Sequence, residues 1–327
     1  MSETIAVADI GGTHARFALA DIDGGKVVAL GDPVTLKTEA FASFDAAWEE
    51  FGRRSGAARP RALSVSFAGP VGGEEARLTN NDWVIRPARA EKQLGVDRFT
   101  IVNDFGAVAH AVAALGEDCF AHIAGPDRPL ADASGITVVG PGTGLGVAQV
   151  HRRDGKEVVI ETEGGHIDFA PLDPTEDRIL EYLRRQFPRV SVERLVAGEA
   201  LPNLYRALAE FAAAPAPLAD DEIALWKSAM NGSDPLAAAA FERFMLSLGS
   251  VAGDLALAHG ADAVVIAGGL GLRLKDRFAT SGFAGRFVAK GRFTERMKTL
   301  PVKLITYPQP GLYGAAVAFA AQHRAAM

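Results

Sequence analysis

A chain of 327 residues with 48% apolar and 23% charged side chains exceeds what one ordinary core supports and is too apolar for wholesale disorder, so roughly two packed α/β domains are expected. Its 34 basic and 40 acidic residues leave a net charge of −6 without a block of like charge, which gives no support to a nucleic-acid or anionic-membrane surface. The single cysteine, Cys119, excludes an intramolecular disulfide and a cysteine-built zinc site, and is expected to be a small buried hydrophobe.

No basic stretch precedes an apolar run at the amino terminus, because Asp9 falls inside the first candidate strand and Arg16 inside the second; no signal peptide is expected. The longest uncharged stretch, 133–151, holds Gly135, Gly140, Pro141, Gly142, Gly144 and Gly146, so it reads as two strands around a loop and not as a membrane helix. A soluble cytoplasmic protein with no membrane partner follows as the expectation.

In chain order, Phe44, Trp48 and Phe51 suggest a helix, 62–67 a strand, 99–102 a strand and 105–115 an apolar helix. The Pro/Ala stretch 212–219 reads as a surface connection within a domain. Asp234-Pro235 is a good N-cap and N1 pair, after which Ala237, Phe241, Phe244, Leu248, Val251, Leu255 and Ala258 step by four and three to Gly260, defining a long amphipathic helix. A buried strand over 263–267 leads to Gly268-Gly269, and 311–323 forms a terminal helix. Alternating strands and helices predict an α/β fold with mixed sheets.

Shifted by 131 residues without a gap, residues 5–28 align with 136–159 at 7 of 24 identities: Ile5/Ile136, Val7/Val138, Gly11/Gly142, Asp23/Asp154, Gly24/Gly155, Val27/Val158 and Val28/Val159. Phe17 and Leu19 then fall on Ala148 and Val150. Both copies read as strand, Gly/Thr-rich turn, strand, Asp-Gly turn, strand, which predicts two domains of common design.

No P-loop occurs, and the Gly142-x-Gly144 pattern meets Val147 where a dinucleotide fingerprint needs its third glycine. Because 147–150 alternates like a strand, this turn does not open a helix as a Rossmann turn must. A glycine turn between antiparallel strands can instead aim backbone N–H groups at phosphate oxygens, with Thr13 or Thr143 adding a hydroxyl. Two such turns, Gly11-Gly12-Thr13 and Gly142-Thr143-Gly144, could grip one polyphosphate, and Asp9 is placed to hold Mg²⁺ through water.

Asp9-Ile-Gly-Gly-Thr-His-Ala-Arg16 and Gly140-Pro-Gly-Thr-Gly-Leu-Gly146 resemble the two phosphate loops of the actin, hexokinase and Hsp70 ATPase superfamily. Ile101-Val-Asn-Asp-Phe105, Glu163-Gly-Gly-His-Ile-Asp-Phe-Ala-Pro171 and Ile266-Ala-Gly-Gly269 narrow the resemblance to bacterial glucokinases, over nearly the whole chain to Pro310-Gly-Leu-Tyr-Gly314. Three departures stand out: His14 where the family usually has Asn, Gly106 where Thr or a similar residue is expected, and Asp82 within Thr79-Asn-Asn-Asp-Trp83. The resemblance implies two actin-like (ribonuclease H-like) domains with mixed sheets flanking a cleft, a small one of 1–114 plus 304–327 and a large one of 115–303. It also implies ATP and glucose as substrates and a homodimer.

Position alone makes Asp104, between a strand and an apolar helix, a helix cap; the resemblance makes it the base that accepts the proton of the sugar 6-hydroxyl. Asn103 would then orient a neighbouring hydroxyl. Glu163-Gly-Gly-His166 brings an acceptor and a donor/acceptor together across two glycines that permit close approach to a flat polar ligand, and two such groups without further partners do not make a metal site. The family resemblance gives Glu163 and His166 to sugar hydroxyls, and tilts Glu193 in Val190-Ser-Val-Glu-Arg-Leu195 from a first-turn helix charge to sugar binding. Asn80 is a further sugar candidate, and Gly268-Gly269 resemble the backbone against which adenine lies. The zinc-bearing repressor and sugar-kinase relatives need cysteines after their Glu-x-Gly-His, whereas none follows Cys119 here, so no zinc is expected. The competing expectation is a non-catalytic sugar or nucleotide sensor on the same fold, which retention of Asp9 and Asp104 disfavours.

Overall fold

The computed structural model describes residues 2–56, 59–79 and 81–324, which fall into two compact units. The first comprises 1–116, 159–161 and 307–327, and the second 117–158 and 162–306.

The strands of the first unit are β1 (Glu3–Ile10), β2 (His14–Asp23), β3 (Lys26–Leu30), β4 (Val34–Lys37), β5 (Ala62–Phe67), β6 (Ala76–Arg77), β7 (Val84–Ile85) and β8 (Arg98–Asn103). Its sheet runs β3-β2-β1-β5-β8 with β4 also on β2, while β6 and β7 pair apart. Strand alternation splits β1 between two cores, as a central strand covered on both faces requires. Ala6, Ala8 and Ile10 face an aromatic cluster in which Phe17 stacks on Phe51 of helix Phe44–Ser55, and Ile5 and Val7 face Leu312 and Phe319 of helix Pro310–Gln322. That second helix crosses helix Asp104–Ala114 at Gly314, where a Cβ would stand 1.7 Å from the Ala107 carbonyl oxygen, so only glycine permits the approach.

The second sheet holds β9 (Phe120–Ala124), β10 (Gly135–Pro141), β11 (Leu145–Arg153), β12 (Lys156–Thr162), β13 (Ala263–Ile266) and β14 (Val302–Ile305) in the order β12-β11-β10-β13-β14-β9, all within the second unit but for residues 159–161 of β12. Apart from the antiparallel β4 of the first sheet and β9 of the second, the two share one plan: an antiparallel meander whose first strand pairs parallel with a later one. The long helix runs Pro235–His259, with Asp234 Oδ1 accepting from Ala237 N at 2.9 Å and Gly260 left-handed at φ 63°. It is long and apolar enough to cross a membrane, yet 67% of its apolar window is buried inside the protein, among Phe278, Phe283 and Phe287.

The internal repeat is real, but its second strand is displaced by one residue from the ungapped alignment. Hairpin β1–β2 closes at Ile10/Ala15 and β10–β11 at Pro141/Leu145, so the second turn is one residue shorter. Phe17 therefore matches Val147 and not Ala148, and the inward and outward sequence of 15–21 repeats over 145–151. The Asp/Gly signals likewise slip: Gly24-Gly25 matches Asp154-Gly155, and all four residues have positive φ, as a two-residue hairpin turn demands.

The expected helices and strands occur within a residue or so of their bounds, the stretch 133–151 as β10 and β11, and 212–219 as a connection inside the second unit. Cys119 departs from expectation. It is only partly buried, because it ends a single turn, Glu117–Cys119, leading into the edge strand β9.

Candidate active site

The turn after β1 is closed by Gly11 N donating to His14 O at 2.9 Å. Buried Thr38 braces it: its hydroxyl donates to Gly12 O at 2.6 Å and its N–H to Thr13 O at 3.1 Å. These braces engage carbonyl oxygens and so consume none of the turn's N–H donors, which are the groups that would face an anion. Thr38 follows an ordinary strand and carries no sequence signal of this role.

Asp9 ends β1 beside this turn, with Oδ1 accepting from Ser66 Oγ at 3.0 Å and Oδ2 3.5 Å from Arg16. The first turn of helix Pro310–Gln322 comes onto the same carboxylate: a Cβ at Gly311 would lie 2.8 Å from Asp9 Oδ1. Desolvation by the surrounding protein pushes the Asp9 carboxyl above the ordinary aspartate range, opposed by the Ser66 hydrogen bond and the Arg16 charge.

At the end of β8 the helix cap is Asn103 and not Asp104. Asn103 Oδ1 accepts from Phe105 N at 2.9 Å and Gly106 N at 3.3 Å, and its Nδ2 donates to Gly69 O at 3.2 Å. Asp104 is the first residue of the helix, and its Oδ1 accepts from Phe105 N at 2.9 Å. Capping, the bland role open to Asp104 by position, is thus carried out by its neighbour.

In the second unit Gly142 N donates to Gly144 O at 2.9 Å, closing the shorter turn. Two other glycines pack on its base. Gly268, at φ 82°, leaves room for only 2.7 Å between a Cβ and Pro141 O, and Gly198 N donates to Gly142 O at 2.7 Å. Gly198 reads in the sequence as an ordinary residue after a short helix, so its partnership with the turn was not visible there.

Glu163 precedes the single turn Gly164–His166, which lies flat on β11: a Cβ at Gly165 would stand 2.1 Å from Leu145 O, and one at Gly164 3.0 Å from Val147 Cγ1. The two glycines thus serve the approach to this strand. His166 Nδ1 lies 3.4 Å from Glu193 Oε1 and its Nε2 4.0 Å from Glu163 Oε2. Glu163 and His166 are 74% and 57% exposed at their side chains against 19% for Glu193, so two open polar groups surround one half-sunk carboxylate. Glu193 Oε2 also lies 3.4 Å from where a Cβ of Gly144 would stand, which joins this trio to the glycine turn. Asn80 lies outside the described residues.

Two sheets of one strand plan, each opening on a glycine turn after its first strand, make this a duplicated α/β protein with two mixed sheets. The glucokinase family profile matches residues 6–322. A glucokinase of Zymomonas mobilis subsp. mobilis is 55% identical over 316 residues, covering 97% of each chain. Among solved structures, glucokinase from an Antarctic psychrotroph superposes with a TM-score of 0.84 at 31% identity, over 97% of this chain and 98% of that one. The glucokinase of Balamuthia mandrillaris in complex with glucose shares the fold at a TM-score of 0.79 and 22% identity, over 97% of this chain and 93% of that one. The chain belongs to the glucokinase family.

Proposed function

We propose that this protein transfers the γ-phosphoryl group of ATP to the 6-hydroxyl of glucose, giving glucose 6-phosphate and ADP. The observation that carries the reading is the junction at the end of β8, where Asn103 caps the helix and leaves the Asp104 carboxylate in its first turn. Asp104 accepts the 6-hydroxyl proton as that oxygen attacks the γ-phosphorus; the new P–O bond forms as the bond to the ADP oxygen breaks. Glu163, His166 and Glu193, with Asn103 and Asn80, hold the remaining sugar hydroxyls. Backbone N–H groups and hydroxyls of Gly11-Gly12-Thr13 and Gly142-Thr143-Gly144 hold the phosphates, and Gly268-Gly269 lie under the adenine.

The donor set suits a magnesium ion carried on the nucleotide. Mg²⁺ keeps several waters and takes one or two carboxylates beside substrate phosphates, and Asp9 supplies one carboxylate at a strand end next to a glycine turn. When bound, the ion would neutralise phosphate charge, with Asp9 reaching it through water. The same reading gives a zinc-independent, cytoplasmic homodimer whose domains are 1–114 plus 304–327 and 115–303.

A coupled ADP-release assay over a panel of hexoses tests the reading. Turnover is expected with glucose, lost without Mg²⁺ and kept in a zinc-selective chelator. Glucose binding without any ADP release would mark a sensor, and loss of activity on zinc removal would overturn the metal assignment.

A further inference from the structure

Gly106 departs from the family pattern, and the structure supplies its counterpart. Glu161, which clusters with the first unit, turns its Oε1 onto the backbone N–H of Asn103 at 2.8 Å. A Cβ at Gly106 would stand 2.2 Å from that oxygen and 2.8 Å from Glu161 Cδ and Cγ. The glycine and the carboxylate are therefore two halves of one arrangement: the hydrogen bond to Asn103 exists only where residue 106 lacks a side chain.

We propose that Glu161 is a positioning residue for the phosphoryl-transfer base, holding the Asn103–Asp104 junction through the Asn103 N–H, with Gly106 as the space that admits it. The junction is the place where such a hold matters. Asn103 is the last residue of β8 and Asp104 the first of the helix, so the backbone direction at Asn103 N sets where the Asp104 side chain starts. The Asn103 side chain itself bonds Phe105 N, Gly106 N and Gly69 O. Cap, strand end and Glu161 together fix both sides of the junction. Displacement of a reacting group by about 1 Å can cost on the order of 10²-fold in rate, so a single oriented acceptor at this point has leverage on kcat. The inference rests on Asp104 being the base.

The Gly106→Ala variant makes the test sharp, because its effects on stability and on rate should have opposite signs. The added methyl meets a long, flexible and exposed side chain, which can swing away cheaply, and alanine is the better helix former. Thermal midpoint should be unchanged or raised, while kcat falls about tenfold because Glu161 has left Asn103. Glu161→Ala should lose a similar factor, with KM for ATP unchanged, and Glu161→Gln, which keeps an acceptor oxygen, should stay within about threefold of the parent. In the double variant Gly106→Ala adds nothing to Glu161→Ala, since the carboxylate it displaces is already gone.

Steady-state kinetics and melting curves on the four full-length proteins decide between the outcomes. Parent-like kcat in Glu161→Ala, a Glu161→Gln as poor as the alanine variant, or equal Gly106→Ala losses in both backgrounds would each overturn the proposal. If Glu161→Ala does not fold, the Gly106→Ala and Glu161→Gln pair tests the same contact: a tenfold loss in the first with near-parent kcat in the second supports it, and any other pairing overturns it. Asp104→Asn is run alongside: its full activity would overturn the base itself, whereas a dead Asp104→Asn with a normal Glu161→Ala would overturn only the positioning role.

Discussion

Replacing Asp104 by Asn separates chemistry from structure with a one-atom change. Asn103 supplies the cap, accepting at 2.9 and 3.3 Å from Phe105 N and Gly106 N, and neither bond involves the atom replaced. The Asp104 Oδ1 contact to Phe105 N at 2.9 Å is one an amide oxygen can also make. What the fold loses is one negative charge in the first turn of a helix, worth about 0.3–1 kcal/mol. For a protein of this size that corresponds to a fall in melting temperature of no more than about 4 °C. The reaction loses its proton acceptor, which typically costs about 10²–10⁴ in rate, or about 2.7–5.5 kcal/mol of barrier. Glucose binding should persist, because Asn still hydrogen-bonds a hydroxyl. Asn103→Ala serves as the contrast, since it removes the cap at about 1 kcal/mol of stability, together with the proposed sugar contact of Asn103, and keeps the carboxylate. Coupled-assay kinetics, a melting curve and glucose calorimetry on both variants give the answer. A folded Asp104→Asn enzyme that binds glucose and turns over within a few-fold of the parent would refute the mechanism, whatever the family.

Two further outcomes follow from the site. Glu163→Gln and His166→Ala should each weaken glucose binding by roughly 1–3 kcal/mol, because a sugar hydroxyl or its partner is left unpaired; unchanged calorimetric affinity in both would make the Glu-Gly-Gly-His turn purely structural. Asp9→Asn should raise the melting temperature at neutral pH while lowering activity. The folded Asp9 carboxyl is raised above its unfolded value by desolvation, so the fold favours its protonated form, and stability falls as pH rises through the folded value. Asparagine escapes that penalty, so the gain should be present at neutral pH and shrink as pH falls towards the unfolded value; a parent more stable than Asp9→Asn at neutral pH would reverse the sign and sink the argument.

Much of this architecture was legible because its signals are local and periodic. The Asp234-Pro235 start, the four-three stepping and Gly260 bound the long helix to the residue, since cap, N1 proline and left-handed glycine act within a few bonds of where they stand. The repeat was legible for the same reason, and its slip in β11 shows the limit. A sheet strand has a side-chain period of two, so loss of one turn residue should invert every face. Here β11 moved with its turn, keeping Val147 and Val150 inside, and an ungapped comparison still matched apolar residues because Ala148 is buried as well.

Glycine is where sequence reading ran out, because one letter serves several physical purposes. Gly24, Gly25, Gly155 and Gly268 supply positive φ; Gly314 admits the Ala107 carbonyl; Gly164 and Gly165 let a turn lie on β11; Gly106 admits the Glu161 side chain. Only the first kind leaves a local signature, in the turn dipeptides. The others depend on what the fold brings against the missing Cβ from far along the chain: Leu145 onto Gly165, Glu161 onto Gly106, Ala107 onto Gly314. The same distance hid Thr38 behind the first turn and Gly198 behind the second, and it hid which of Asn103 and Asp104 was the cap. A departure from a family's pattern at a glycine is therefore best explained by finding the atom that occupies the vacated space. At Gly106 that atom is Glu161 Oε1, bonded to the residue next to the proposed base.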